Sequence, residues 1–132
     1  MAILSSAPAI LILAALALAS CLQLVDGIHI VPTPSIPRVG QTVTLSAQGI
    51  SRPTICFWFR STRFDKSRMI FHIEHGRVIS KGGAFTNRDS LGRDCALVIQ
   101  GVQASDAGDY YLITLERDHG WKDALARLQV SN

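Results

Sequence analysis

The residues Asp106-Ala107-Gly108-Asp109-Tyr110 decide the fold that we predict for this chain. They stand between two alternating apolar runs, one at residues 97–102 and one at residues 110–115. Runs of this kind, separated by a polar turn, are typical of two strands joined across a corner. The glycine supplies the backbone freedom that such a corner needs. We therefore predict two strands that meet at residues 106–110, with Tyr110 opening the second strand.

A tyrosine that opens a strand after such a loop is characteristic of strand F in an immunoglobulin sandwich, where its hydroxyl bonds back to the backbone a few residues upstream. Asp106 would lie in this corner loop, where an arginine from strand D can reach it, and Arg88 is the candidate. We predict a structural salt bridge between Arg88 and Asp106. The fold class expected is all-β, an immunoglobulin sandwich of two antiparallel sheets with about nine strands.

The rest of the chain supplies the remaining strands. Prolines at 32, 34 and 37 break the first strand into A and A′, because proline is confined to edge strands and turns. The two strands C′ and C″ make the predicted domain variable-type. The ranges predicted are 43–47 for strand B, 56–60 for C, 69–73 for C′, 77–80 for C″, 84–87 for the start of D, 96–99 for E, 110–117 for F and 124–130 for G.

The cysteine pattern departs from that of most immunoglobulin domains. The positions of the usual B–F disulfide are occupied by Ala47 and Leu112, so an apolar pair replaces that bridge. Trp58 is the predicted core tryptophan of strand C. By period-two alternation Cys56 and Cys95 both face inward from opposite sheets. A bridge between them requires Cα atoms within about 7 Å, so the sequence leaves open whether they are bonded or are two buried thiols.

The first residues are a different kind of sequence. Residues 3–24 are almost wholly apolar and carry no charge. A transmembrane helix is the alternative, but the N-terminal position and the small residues at its end favour a signal peptide over residues 1–27. Cleavage after Gly27 removes Cys21 and leaves an even cysteine pair, whereas cleavage after Ala19 leaves an odd thiol. We expect a variable-type domain over residues 28–132, secreted or on the extracellular face of the cell surface, with no membrane anchor in this chain.

Charge and composition exclude several functions. Residues 28–132 carry thirteen basic and nine acidic residues, a net charge of +4, and the basic residues are scattered. This pattern argues against a nucleic-acid-binding surface. The four histidines are dispersed, and no nucleophile–base pair or phosphate-binding loop is evident. We therefore expect no enzyme activity, no metal, no cofactor and no small-molecule substrate.

The alternation also predicts a binding surface. If Trp58, Tyr110 and Leu112 point inward, their neighbours on strands C and F point outward on one shared face. Such an apolar outer face is unusual unless a partner or neighbouring residues cover it. The alternatives are a protein-binding surface or partial cover by C′ residues or the F–G turn. The outward residues are Phe57, Phe59, Tyr111, Ile113 and Leu115.

These residues also carry a family resemblance. The run from Ala84 through Leu97-Val98-Ile99, Asp106-Ala107-Gly108 and Tyr110 to Val130, with the missing B–F disulfide and the Trp58-Phe59 pair, resembles the N-terminal variable-type domain of the carcinoembryonic-antigen-related cell adhesion molecules. The resemblance implies adhesion through the GFCC′C″ face, with itself or a related molecule. The positions matched by the resemblance are Phe59, Ile113, Leu115, His119, Trp121 and Asp123.

Two other functions remain open from the sequence. A soluble immune ligand or decoy is consistent with the lack of a visible anchor. A sialic-acid-type lectin is the other alternative, because such immunoglobulin domains use an arginine on strand F. Arg117 lies at the end of predicted strand F, later than that position. The preferred interpretation is an extracellular binding domain that acts in adhesion or immune recognition by protein–protein contact.

Overall fold

The computed structural model describes residues 27–132, which form nine strands. Short 3₁₀ turns at Lys66–Arg68, Arg93–Cys95 and Ala104–Asp106 join some of them. The strands are β1 (His29–Thr33), β2 (Val43–Gln48), β3 (Pro53–Phe59), β4 (Met69–Glu74), β5 (Arg77–Lys81), β6 (Asp89–Leu91), β7 (Leu97–Ile99), β8 (Gly108–Glu116) and β9 (Gly120–Leu128).

The strands form two antiparallel sheets packed face to face. One has four strands in the order β1-β2-β7-β6, and the other has five in the order β5-β4-β3-β8-β9. In immunoglobulin lettering these are strands A, B, E and D and strands C″, C′, C, F and G. A parallel bridge between Arg38 and Ser131 adds the predicted A′ segment beside the end of β9. The predicted variable-type sandwich is confirmed.

The corner at the start of β8 forms as the sequence predicts. The Tyr110 hydroxyl donates to the backbone carbonyl of Asp106 at 2.6 Å, and Gly108 has φ +140°. Arg88 donates through both terminal nitrogens to the Asp106 carboxylate, with Nη2–Oδ1 at 2.9 Å. Burial raises the pKa of Asp106, but the hydrogen bonds from Arg88 and from the Gln103 backbone outweigh it and hold the pKa below its usual value. The salt bridge predicted between Arg88 and Asp106 is confirmed.

The core is centred on Trp58, which is fully buried between the sheets. Its indole Nε1 donates to the backbone carbonyl of Cys95 at 2.8 Å, so its one polar atom has a partner. Cys95 is bonded to Cys56, with Cα atoms 6.4 Å apart. Ala47 packs against the core and Leu112 is buried in it, as expected for the apolar pair at the B–F positions. A disulfide therefore joins the two sheets at a different place from the usual one.

The sequence-based predictions did not include a buried network of ion pairs and hydrogen bonds beside this core. Arg60, predicted to lie at the end of strand C before a polar loop, turns inward instead. It donates to Asp89 Oδ1 at 2.7 Å, to the Tyr110 hydroxyl at 2.7 Å and to the Ala84 carbonyl at 3.2 Å. The Asp89 side chain is fully buried. Because a buried carboxylate needs a partner, Arg60 is structural rather than part of a solvated loop.

The strand boundaries differ most from the predictions at the starts of strands D and G. Residues 84–87, predicted as the start of strand D, form a loop, and the strand is β6, which begins at Asp89. The reason is local hydrogen bonding, since Asp89 Oδ2 accepts from the Thr86 backbone at 2.8 Å and draws this segment into a turn. Strand G begins four residues earlier than predicted, because the β8–β9 ladder continues to the Glu116–Gly120 pair.

The predicted signal peptide lies outside the described residues apart from Gly27. Ile28, the first residue of the predicted mature chain, is buried and belongs to the core. Within residues 27–132 no helix is long and apolar enough to cross a membrane.

Thr114 offers a test of the core packing. It is fully buried on β8, and its hydroxyl has no hydrogen-bond partner among the described residues. Because a buried hydroxyl without a partner costs free energy, we expect Thr114→Val to raise the free energy of unfolding by about 1 kcal/mol. Urea denaturation measures the change. Thr54→Val is the matched control, since its hydroxyl donates to the Leu115 carbonyl at 3.0 Å and its loss should destabilise the fold. Equal destabilisation by both variants would contradict this account of Thr114.

Candidate functional site

The candidate site is the outer face of the five-stranded sheet, called here the CFG face. Its side chains alternate with core residues along β3, β8 and β9. The strand register places these side chains in rows, since Ile113 pairs with Phe57, and Leu115 pairs with Trp121. The sheet thus brings together all the predicted site residues except His119. The residues of the CFG face are Ile55, Phe57, Phe59, His72, Glu74, Tyr111, Ile113, Leu115, Trp121, Asp123 and Leu125, with Phe64 lying over them from the C–C′ loop.

The sequence-based expectation that Phe59 is an exposed anchor for a partner is wrong. It lies on the CFG face, but its exposed fraction is 0%. The ring of Phe64, in the loop after β3, covers it with centroids 4.8 Å apart, and Tyr111 lies at 6.1 Å on the neighbouring strand. Covering an apolar ring on an outer face lowers the free energy, because it removes apolar surface from water. Phe59 is therefore the floor of an aromatic cluster rather than a residue that a partner can touch.

Phe57 is partly covered in the same way. The His72 ring from β4 stacks on it, with centroids 4.3 Å apart and planes 17° apart. His72 Nε2 in turn lies 3.1 Å from Glu74 Oε2 on the same strand. Residues of strand C′ therefore partly cover the outward side chains of strand C, as the second alternative in the sequence analysis expected. This cover moves the accessible part of the CFG face toward β8 and β9.

Three of the most exposed apolar side chains of the described chain lie on that side or over the aromatic cluster, while Ile79 on β5 is as exposed as Leu125. Trp121 has an exposed fraction of 58%, Leu125 of 54% and Phe64 of 56%. Ile113 and Leu115 are half-buried between β3 and β9. Sequence reasoning missed Leu125 and Phe64. Leu125 stands at period two from Trp121 and Asp123, so alternation along strand G could have found it, whereas no local pattern indicates that the C–C′ loop folds back over β3.

A polar pair interrupts the apolar surface. The Tyr111 hydroxyl donates to Asp123 Oδ2 at 2.5 Å across the β8–β9 ladder. Burial, together with this hydrogen bond, raises the pKa of Tyr111 to about 12. A shallow depression lies between Tyr111, Ile113, Trp121 and Asp123. The CFG face therefore offers an apolar surface with a hydrogen-bonded polar pair within it, which suits a protein partner.

His119, the remaining predicted site residue, is not on the CFG face. It is exposed in the β8–β9 turn and lines a separate cleft with Ser51, Arg52, Arg117 and Asp118. Among residues 27–132, no group of three or more histidine, cysteine or acidic side chains is placed to hold a metal ion.

Curated relatives match part of this chain in sequence. The cell adhesion molecules named CEACAM16 of Rattus norvegicus and of Mus musculus are each 34% identical to it over 87 residues. The match covers 65% of this chain and 20% of each relative, so the chain spans about a fifth of the length of the curated relatives it matches. These relatives are named as cell adhesion molecules rather than enzymes. No protein-family model matches the chain.

Solved structures confirm the fold. Murine CEACAM1b superposes with a TM-score of 0.71 at 18% identity, covering 80% of this chain and 54% of that chain. A chain from the complex of a mouse coronavirus receptor-binding domain with its murine receptor gives 0.67 at 16% identity, covering 78% and 53%. The first immunoglobulin-like domain of human CD48 gives 0.58 at 22% identity, covering 72% and 81%. At these identities the likeness concerns the fold.

Proposed function

From the premise that residues 27–132 are a variable-type immunoglobulin domain homologous to carcinoembryonic-antigen-related cell adhesion molecules, we propose that this chain acts in cell adhesion or immune recognition by protein–protein contact through the CFG face. The partner proposed is another immunoglobulin-like domain, either a second copy of this chain or a related molecule. The observation that carries the proposal is the group of exposed apolar side chains on one face, with Trp121 and Leu125 on β9 and Phe64 in the C–C′ loop.

The make-up of the CFG face supports this use. Scattered single apolar side chains are normal on a protein surface, but a contiguous apolar group marks an interaction surface. Here the exposed rings and aliphatic chains flank half-buried Ile113 and Leu115 on neighbouring strands. Binding energy at protein interfaces concentrates in a few such residues, with tryptophan and tyrosine enriched among them. Trp121 is therefore the proposed anchor, and the Tyr111–Asp123 pair supplies a polar contact beside it.

The packing of the aromatic cluster also favours binding. Phe59 is buried under Phe64, and Phe57 is stacked on His72, so these rings already pack against neighbours of the same chain without a partner. A surface that is ordered beforehand loses less conformational entropy on association. This arrangement supports contact with a partner of matching shape rather than a loop that folds on binding.

The proposal predicts the effect of one substitution on self-association. The secreted product of the full chain should form reversible dimers in sedimentation equilibrium, with the dimer fraction rising with concentration. Trp121→Arg should weaken dimerisation by about tenfold or more, because it removes the exposed anchor and places a cation on the CFG face. Because Trp121 is exposed, the variant should keep its fold, and a thermal melt equal to that of the wild type checks this.

Val31→Arg is the matched control for Trp121→Arg. Val31 is 42% exposed and lies on β1, in the other sheet. The substitution therefore adds the same charge away from the CFG face. It should leave dimerisation unchanged. Equal weakening by both variants would show that added charge, not the CFG face, controls association. Dimers that persist in Trp121→Arg would place the interface elsewhere, and a monomer at every concentration would leave a related molecule as the partner.

The cellular location proposed follows from the same argument. The chain is proposed to pass through the secretory pathway and to act outside the cell, with residues 1–27 removed as a signal peptide. Supporting this, Ile28, the residue that cleavage after Gly27 would leave at the N-terminus, is buried in the core of the described domain. The cross-sheet disulfide also suits an oxidising compartment.

A further inference from the structure

We propose that the loop end of the sandwich carries a second binding site, separate from the CFG face, for the carboxylate or sulfate group of an acidic sugar. The site is the cleft between the β2–β3 loop and the β8–β9 turn. Two arginines supply its charge, and a hydroxyl and a carboxylate supply further polar contacts. The residues that line the cleft are Ser51, Arg52, Arg117, Asp118 and His119.

A buried acid holds the two sides of this cleft together. Glu116, at the end of β8, is 1% exposed. One of its carboxylate oxygens accepts from the Ser51 backbone at 3.0 Å, which fixes the β2–β3 loop, and the other lies 3.2 Å from Lys122 Nζ on β9. Its charge is therefore already matched by Lys122. The β2–β3 loop is thus tied to the end of β8, and Arg52 and Arg117 are not needed to neutralise Glu116.

The two arginines are free to bind an anion. Arg52 and Arg117 are exposed, and neither guanidinium forms an ion pair or hydrogen bond with any described residue. By contrast, Arg60, Arg88 and Arg127 each pair with an aspartate. A planar guanidinium donates two parallel hydrogen bonds to a carboxylate or sulfate. Two of them facing one cleft provide a place where such a group can be held.

The rest of the cleft favours a sugar over an acidic peptide. Asp118 lies in the same cleft and would repel a chain of acidic side chains, whereas its carboxylate can accept hydrogen bonds from sugar hydroxyls. Ser51 offers a further hydroxyl at the rim. Donors and acceptors side by side match a ligand with one anionic group and several hydroxyls.

Titrations monitored by NMR test the site, with 3′-sialyllactose, lactose 3′-sulfate and neutral lactose as separate probes. We expect one or both acidic sugars to shift the amide signals around Arg52 and Arg117, and lactose to cause no shift. Arg117→Gln and Arg52→Asn should each weaken binding by about tenfold or more, because each removes a charge-assisted pair of hydrogen bonds. Asparagine is chosen at position 52 because the backbone there has φ +49°, which asparagine tolerates well.

Arg127→Gln is the matched control, since Arg127 is an exposed arginine on β9 whose partner is Asp109 rather than the cleft. It should bind the acidic sugars as the wild type does. A preference for the sialylated or the sulfated probe would identify the anionic group. The proposal would be overturned by absence of binding at millimolar sugar, by binding that survives both cleft variants, or by a tetraglutamate peptide that binds the cleft more tightly than either sugar. These outcomes do not depend on dimerisation through the CFG face.

Discussion

Replacing Cys56 and Cys95 together by alanine is expected to lower the free energy of unfolding by about 4 kcal/mol. The bond joins residues 39 apart in sequence, so it closes a long loop and removes many conformations from the unfolded chain. It also ties β3 to the turn before β7, and thus one sheet to the other, in a domain whose usual inter-sheet bridge is replaced by Ala47 and Leu112. For a domain of this size, such a loss is a large part of the total stability.

Urea denaturation of the oxidised wild type and the double variant measures this difference. Reducing agent provides the internal control, because it should bring the wild type close to the variant and leave the variant unchanged. A variant as stable as the oxidised wild type would show that the bridge adds nothing. A reducing-agent effect on the variant would mean that the loss has another cause.

Substituting Arg60 by methionine is the second change with a large expected effect, a loss of about 3–5 kcal/mol. Methionine keeps much of the volume but removes the partner of the buried Asp89 carboxylate, leaving an uncompensated charge beside Tyr110. It also removes the donor to the Tyr110 hydroxyl, whose own proton holds the corner at Asp106. The loss is measured as a shift in the urea midpoint.

A double-mutant cycle separates the charge pair from simple loss of packing. Asp89→Asn alone should also lower the free energy of unfolding. The double variant Arg60→Met with Asp89→Asn should lower it by clearly less than the sum of the two single effects. Arg127→Met is the control for an exposed pair, since Arg127 lies 3.3 Å from Asp109 on the surface and should change stability by less than about 1 kcal/mol. Strict additivity in the Arg60–Asp89 cycle would contradict the pairing.

The parts of the fold that the sequence predicts are those set by local pattern. Period-two alternation places Trp58 and Leu112 in the core and Ile113 on the outer face, and the order Asp-x-Gly-x-Tyr predicts the corner. Both depend on a few neighbouring residues and on strand geometry. These two features do not depend on contacts between segments that are distant in the sequence.

The parts that the sequence misses depend on contacts between distant segments. Alternation places Cys56 and Cys95 inward but cannot give the 6.4 Å between their Cα atoms, so their bond could only be left open. Likewise, nothing near Arg60 indicates that its partner lies 29 residues away. Phe59 is outward by alternation, as predicted, but its burial depends on a loop residue, Phe64, that carries no periodic signal.

The central claim, binding through the CFG face, is tested most directly by methyl NMR of the isotope-labelled chain. The labelled chain is titrated with unlabelled copies of itself and, separately, with CEACAM16. We predict that the methyl signals of Ile113, Leu115 and Leu125 shift with one or both titrants, while those of Val31 and Val98 on the outer side of the other sheet stay fixed. Shifts confined to the Val31 and Val98 side, or no shift with either titrant, would contradict the claim.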